Sequence, residues 1–189
     1  MPCLVPFTYE ADSFRAADGS WYPMMTMEWV KGETLFDWLQ HRAEARDKKS
    51  IRLVAEKWQR TIQDLSKAKI AHGDLQHGNV MITPGGDIKL VDYDGMCVPA
   101  LVGRRNLEIG VEPYQHPSRD GETKLSLDLD NFSAAFIYVG LRALAVEPDL
   151  WDEFVVKPEY DKMLFRKEDF VDPRQSAMFQ RLRRSSDSD

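Results

Sequence analysis

The chain has 189 residues, 43% of them hydrophobic, which is enough to build the core of one globular domain. Its 31 acidic and 25 basic residues give a net charge of −6, the wrong sign for a protein that binds nucleic acid or an anionic membrane surface. The two cysteines, Cys3 and Cys97, lack metal-site spacing and no stretch approaches the roughly 20 apolar residues of a membrane span, so the sequence predicts a soluble cytoplasmic protein without a disulfide framework.

The N-terminal part of the chain is predicted to form a β-hairpin followed by two helices. Two β-rich runs flank Asp18-Gly19, a dipeptide that favours a tight turn. Residues 33–45 and 51–71 carry apolar side chains at helical spacing. Ser50 directly precedes the second of these runs and is its predicted N-cap.

A second hairpin and a buried helix are predicted in the rest of the chain. The short β runs 79–83 and 88–93 are linked by a Pro-Gly-Gly-Asp turn. Residues 129–146 are apolar on nearly every face, which is typical of a helix buried at the centre of a domain. Residues 151–165 and 176–184 are predicted to form short helices.

Three polar residues converge at the second hairpin. The loop that leads into it reads HGDLQHGN (72–79) and carries Asp74 and Asn79, and the hairpin ends at Asp92. Mg²⁺ takes oxygen ligands from carboxylates, amides and phosphates, so Asn79 and Asp92 are the candidate metal ligands. Asp74 is then left as a base that can orient and deprotonate a substrate hydroxyl.

This pattern resembles the eukaryotic-type protein kinases, whose catalytic loop reads HRDLxxxxN and whose metal motif reads DFG. Three more segments agree in the correct order: 110–117 (GVEPYQHP) with the GTxxYxAPE peptide-docking segment, 130–135 (DNFSAA) with the DxWSxG opening of the central helix, and 27–39 (MEWVKGETLFDWL) with the hinge and its following helix. The divergent HGDLQHGN loop indicates a bacterial member. The resemblance implies an α+β fold: a mainly helical, protein-kinase-like C-terminal lobe with an N-terminal β-hairpin remnant of the small lobe.

The resemblance also implies residue roles and cofactors. Asp74 would be the catalytic base, Asn79 and Asp92 the Mg²⁺ ligands, and Asp130 a brace beneath the catalytic loop. ATP and Mg²⁺ would be the cofactors, and Ser or Thr of a protein would be the substrate. Four residues would contact the adenine, in the hinge and on the floor of the cleft: Met27, Glu28, Val30 and Met81.

Several departures from the family pattern keep other functions open. Gly73 stands where most protein kinases have Arg, Gln76 where Ser/Thr kinases usually have Lys, and the metal motif reads DYD. HGD also occurs in small-molecule phosphotransferases, which is one alternative. No Gly-rich loop and no Lys precede the hinge, so this chain alone is expected to be inactive, and a non-catalytic kinase-like binding module (a pseudokinase) is a second alternative.

The expected organisation has three parts. Residues 1–30 would form the small-lobe remnant and the start of the hinge, 31–183 the kinase-like large lobe, and 184–189 a disordered tail. Without a complete small lobe, the floor of the nucleotide cleft would be an exposed apolar patch that invites self-association or a partner.

The segment between Asp92 and Pro117 is predicted to be ordered without phosphate. It contains no Ser or Thr, and Gly73 replaces the Arg that pairs with an activating phosphate in many protein kinases. The residues expected to order it by packing are Met96, Val98, Leu101 and Ile109.

Overall fold

A two-stranded antiparallel hairpin of β1 (Phe7–Arg15) and β2 (Trp21–Met27) forms the N-terminal part of the protein, as predicted. The computed structural model describes residues 1–108, 110–155 and 162–185. Gly19 has φ +88° in the connecting turn, and the Asp18 carboxylate accepts a hydrogen bond from the Ser20 N–H at 2.9 Å. Both faces of the hairpin are largely exposed.

A three-stranded antiparallel sheet lies at the centre of the fold. Its strands, in the order β3-β4-β5, are β3 (Glu33–Thr34), β4 (Val80–Ile82) and β5 (Ile88–Leu90). The predicted second hairpin is confirmed as β4–β5. Leu4 pairs in parallel with Leu90, whose N–H donates to Cys3 O at 2.8 Å, so the N-terminal segment extends the sheet beyond β5.

Two helices follow the hinge, α1 (Leu35–Glu44) and α2 (Lys48–Lys67). The predicted N-cap of α2, Ser50, is wrong, because the helix begins earlier and is capped by Asp47. The Asp47 carboxylate accepts the Ser50 N–H at 3.1 Å and so satisfies one of the free donors of the first turn.

The Asp47 cap gives a stability prediction. Asp47→Ala should lower the free energy of unfolding by about 1 kcal/mol. Hydrogen bonds from Ser50 lower the pKa of Asp47 below its ordinary value of 3.8, so this contribution is present above that value and is lost as the pH falls through the lowered pKa. Chemical denaturation at pH 7 and at acidic pH measures it, and a larger loss in Ser50→Ala than in Asp47→Ala would contradict the assignment.

The apolar helix α3 (Asn131–Val146) packs against α2 and forms the centre of the core, as predicted. The Trp58 indole N–H of α2 donates to Ala134 O at 2.9 Å. Ile137, Leu141 and Leu144 are fully buried, whereas Val139 is exposed on one side of the helix.

Three short helices complete the described part: α4 (Leu150–Phe154), α5 (Lys167–Val171) and α6 (Ala177–Leu182). The helix predicted over 151–165 ends at Phe154, and residues 156–161 lie outside the described residues, as do the last four of the predicted tail. An aromatic cluster joins α3 to α5 and α6: Phe132, Phe136, Phe165, Phe170 and Phe179. In the parts of the chain that the structure describes, no helix is both long and apolar enough to cross a membrane.

Candidate active site

The loop of residues 72–79 is held from below by Asp130, at the start of α3. The Asp130 carboxylate accepts the His72 N–H at 2.5 Å and the Gly73 N–H at 2.8 Å. Burial raises the pKa of Asp130 above its usual range, and the two backbone hydrogen bonds oppose that shift. The bracing role implied for Asp130 is therefore confirmed.

The backbone at Gly73 explains why this position lacks the arginine of the family pattern. Gly73 has φ +85°, and a Cβ there would lie 1.9 Å from Gly95 O. The loop passes so close to the turn after Asp92 that it has no room for a side chain. The departure at Gly73 is thus a requirement of this local packing.

Asp74 and Asn79 form a buried pair on the loop. The Asn79 Nδ2 group donates to Asp74 O and to Asp74 Oδ2, both at 2.9 Å. Asn79 is only 6% exposed and Asp74 only 9%. Because both partners of Nδ2 are acceptors, the amide orientation is fixed. Asn79 Oδ1 has no hydrogen-bond partner among the residues that the structure describes, so its lone pairs can bind a cation.

Asp92 follows the neighbouring strand β5 by two residues. The Val91 N–H donates to Asn79 O at 3.0 Å, so the residue next to Asp92 is paired directly with Asn79. Asp92 is exposed, has φ +65°, and its carboxylate has no hydrogen bond or ion pair within the described ranges. A side chain held free in this strained conformation is typical of a functional site.

The side-chain oxygens of Asn79 and Asp92 suit a magnesium ion whose other ligands are phosphate oxygens and waters. Across the described residues no group of three or more His, Cys, Asp or Glu side chains could hold a metal. Mg²⁺ does not need such a cage, since it commonly uses one or two protein oxygens together with waters and substrate phosphates. Asn79 Oδ1 and the Asp92 carboxylate match that donor set.

The other oxygen of Asp74 faces the start of the segment 110–117. Asp74 Oδ1 accepts the Val111 N–H at 3.4 Å, which is a long and weak contact. Gly110 has φ +79°, and a Cβ there would lie 2.6 Å from Asp74 Oδ1 and 2.4 Å from Gln115 Nε2. Only glycine allows this close approach to the carboxylate.

Arg119 was missed by the sequence reasoning and is central to the site. Its guanidinium donates to Gly73 O and to Glu108 O, each at 3.0 Å, and to Gln115 Oε1. Burial lowers the pKa of Arg119, and the negative charges of Asp74 and of other nearby carboxylates oppose that shift. The Arg119 side chain therefore links three parts of the chain: the loop 72–79, Glu108 and the segment 110–117. The missing arginine at position 73 was the signal that another cation should be sought.

Backbone pairing also anchors the segment after Asp92. Cys97 is fully buried and exchanges two hydrogen bonds with Ala71, at 2.8 and 2.9 Å. The residues that were predicted to order the segment by packing are half-buried and outside the main hydrophobic core, namely Met96, Val98 and Leu101. Ile109 lies outside the described residues. The structure therefore assigns more of the ordering to hydrogen bonds than was predicted.

The predicted adenine-binding residues lie where β2 leaves the hairpin and on β4. Met27 ends β2, and the Glu28 N–H donates to Pro6 O at 3.2 Å. Met27, Val30 and Met81 are half-buried, so the exposed apolar patch predicted there is smaller than expected. The exposed apolar side chains lie instead on the hairpin and at Trp29, which is 87% exposed.

A cavity of about 730 Å³ lies apart from these residues, between α1, α2 and the turn that links β4 to β5. Trp38, Arg42, Leu53 and Lys57 contribute to its walls. None of the predicted site residues lines this cavity. A nucleotide bound there could therefore be distinguished from one bound at the predicted site.

Comparison with known proteins agrees with this geometry. The chain is 31% identical over 113 residues to "Probable serine/threonine-protein kinase mkcD" of Dictyostelium discoideum, covering 58% of this chain and 16% of that protein. It is 25% identical over 133 residues to "Serine/threonine-protein kinases PknA" of Corynebacterium glutamicum, covering 69% of this chain and 28% of that protein. The chain thus aligns with well under half the length of either relative. Residues 11–152 match the family model described as "Protein kinase domain", and the chain therefore belongs to the protein kinase domain family.

Proposed function

We propose that this chain is the catalytic large lobe of a protein kinase that transfers the γ-phosphoryl group of MgATP to Ser or Thr hydroxyls of protein substrates. The observation that carries the proposal is the pairing of Asn79 with Asp74, which uses Asn79 Nδ2 and leaves Asn79 Oδ1 without a partner among the described residues, while the residue before Asp92 is paired with the Asn79 backbone. Residues 31–183 would form this lobe, 1–30 a part of the small lobe with the start of the hinge, and 184–189 a tail.

Asn79 and Asp92 would hold the Mg²⁺ ion. When bound, the ion neutralises the phosphate oxygens and fixes their orientation. Asp92 has no other partner in the described part of the chain, so its full charge is available to the cation. Four residues would position the adenine beside this site: Met27, Glu28, Val30 and Met81.

The two oxygens of Asp74 would have different roles. Oδ2 is bonded to Asn79 Nδ2 at 2.9 Å, whereas within the described residues the one hydrogen bond to Oδ1 is the 3.4 Å contact with the Val111 N–H. A substrate hydroxyl can displace that weak contact and donate its hydrogen to Oδ1. The proton of the hydroxyl would pass to Oδ1 as the hydroxyl oxygen bonds to the γ-phosphorus and the bond between that phosphorus and the bridging oxygen breaks, so that ADP leaves.

A non-catalytic binding module is the second candidate. The 189 residues contain no Gly-rich loop before the hinge and no lysine before Lys31, so within them the β- and γ-phosphates have no cover and no lysine partner. Both similar curated proteins are named as serine/threonine-protein kinases, which gives no support to a small-molecule phosphotransferase.

We also propose that the protein is located in the cytoplasm. Cys3 and Cys97 are both buried free thiols, and burial raises the pKa of each. Thiols of this kind stay reduced and unreactive in a reducing compartment. A protein substrate is the proposed partner.

The 189-residue chain by itself should bind MgATP weakly and transfer no measurable phosphate. We expect a dissociation constant on the order of millimolar, because electrostatic stabilisation of the terminal phosphates is incomplete. Calorimetry and a radiolabelled transfer assay measure the two quantities, with Asp74→Asn as the inactive reference. Robust autophosphorylation by the purified chain would contradict this expectation.

A form that carries a complete small lobe distinguishes the two candidate functions. The proposed kinase should then transfer phosphate to protein hydroxyls, and Asp74→Asn should abolish transfer. Tight MgATP binding without any transfer would favour the binding module instead.

A further inference from the structure

Tyr93, the middle residue of the DYD motif, uses its hydroxyl to join two other parts of the chain. The hydroxyl oxygen accepts the Val5 N–H at 2.6 Å, and its hydrogen is donated to Leu90 O at 2.7 Å. The ring is in edge contact with Phe7, at the start of β1, and with His72, with centroids 6.0 and 5.8 Å apart. A phenylalanine here would keep the ring contacts and lose both hydrogen bonds.

Asp92 lies between two anchored neighbours. On one side, the Val91 N–H is bonded to Asn79 O, and Val91 O lies 3.0 Å from His72 Nε2. On the other side is Tyr93 with its two hydrogen bonds. Asp92 itself has φ +65°, a left-handed conformation that costs most residues with a side chain free energy and that Asp adopts more readily than most. Among the described residues its side chain has no hydrogen bond or ion pair, so the contacts that hold this conformation are those of its neighbours.

We propose that the Tyr93 hydroxyl is a positioning group for the metal ligand Asp92. By bonding Val5 and Leu90 it keeps Asp92 in the left-handed conformation beside Asn79. It also links metal binding to the segment 3–7, which pairs with β5 and leads into the β1–β2 hairpin. The inference rests on the proposed function, because the role of Asp92 as a ligand belongs to that proposal.

Tyr93→Phe tests the inference in the 189-residue chain. Mn²⁺ serves as the probe, and its affinity is read from paramagnetic broadening of the Asn79 side-chain amide and the Asp92 backbone signals. We expect the variant to bind Mn²⁺ about three- to tenfold more weakly, because only the fraction of molecules with Asp92 in the binding conformation can take the ion. Thermal unfolding in the same samples shows that the measurement is made on folded protein.

Tyr138→Phe is the matched control, since it removes the same kind of hydroxyl from a half-buried tyrosine. The Tyr138 hydroxyl accepts from Arg142 Nη1 at 3.3 Å, on α3 and away from the site. This variant should bind Mn²⁺ as the wild type does. A role of Tyr93 in stability alone would lower the unfolding temperature of Tyr93→Phe and leave its Mn²⁺ affinity unchanged.

Val5→Pro removes the other partner of the same hydrogen bond and serves if Tyr93→Phe does not fold. It should weaken Mn²⁺ binding to a similar extent, and the double variant should lose no more than either single variant, because the tether acts as one unit. Equal affinity in the wild type and the folded single variants would overturn this inference alone. If wild-type signals of Asn79 and Asp92 are not broadened, the metal assignment fails, and this inference fails with it.

Discussion

Asp92→Asn is expected to remove most of the Mg²⁺-dependent affinity for ATP, whereas Asp74→Asn is expected to preserve that affinity and abolish transfer. The Asp92 carboxylate is exposed and unpartnered in the described part of the chain, and the substitution removes the only full negative charge offered to the ion. Asp74 is instead bonded through Oδ2 to Asn79, and its proposed role is to accept a proton through Oδ1.

The magnitudes separate the two roles. Asp74→Asn should remove measurable transfer with little change in ATP affinity, because a general base typically contributes about 10²- to 10⁴-fold to the turnover number. ATP affinity measured with and without Mg²⁺, and transfer measured in a form with a complete small lobe, give both quantities. Equal losses of affinity in the two variants would contradict the role assignment.

Arg119→Leu is expected to have the second large effect. It would leave Gly73 O, Glu108 O and Gln115 Oε1 without their shared donor and would remove a half-buried positive charge near Asp74. We expect a loss of about 2 to 4 kcal/mol in the free energy of unfolding, since buried acceptors lose charge-assisted hydrogen bonds. Amide hydrogen exchange should accelerate locally over 106–117.

Arg104→Leu is the control for this variant, because Arg104 belongs to the same segment but is exposed. Its stability and exchange rates should match those of the wild type.

Since Arg119 supplies the ordering charge, phosphatase treatment of an active form should leave activity unchanged. A phosphorylated residue between 92 and 117 whose removal abolishes activity would show that phosphate, and not Arg119, orders the segment.

The part of the site that could be predicted is the part set by short stretches of chain. Asp74 and Asn79 are five residues apart on one loop and are paired by their side chains, and a tight hairpin pairs Val91, the residue before Asp92, with Asn79. The two hairpins and the helices α2 and α3 could also be predicted from the sequence, because their patterns of apolar residues are long or bounded by clear turns.

The contacts that escaped prediction join residues that are distant in the sequence. Arg119 reaches Gly73 across 46 positions, and Tyr93 reaches Val5 across 88. No periodicity encodes such a contact, because it depends on how separate elements pack. The error at Ser50 has a local cause: Asp47 and Ser50 lie within one turn, both residue types are good N-caps, and the sequence does not say which of them the helix uses.

The most direct test of the proposed site is to map Mn²⁺·ATP on the 189-residue chain by NMR, with ATP in the millimolar range to compensate for weak binding. The proposal predicts paramagnetic broadening centred on Asn79 and Asp92, with diamagnetic Mg²⁺·ATP shifting the signals of Met27, Val30 and Met81. Asp92→Asn should abolish the broadening. Broadening centred on the cavity beside Trp38 and Lys57, or unchanged broadening in Asp92→Asn, would contradict the assignment of the nucleotide site.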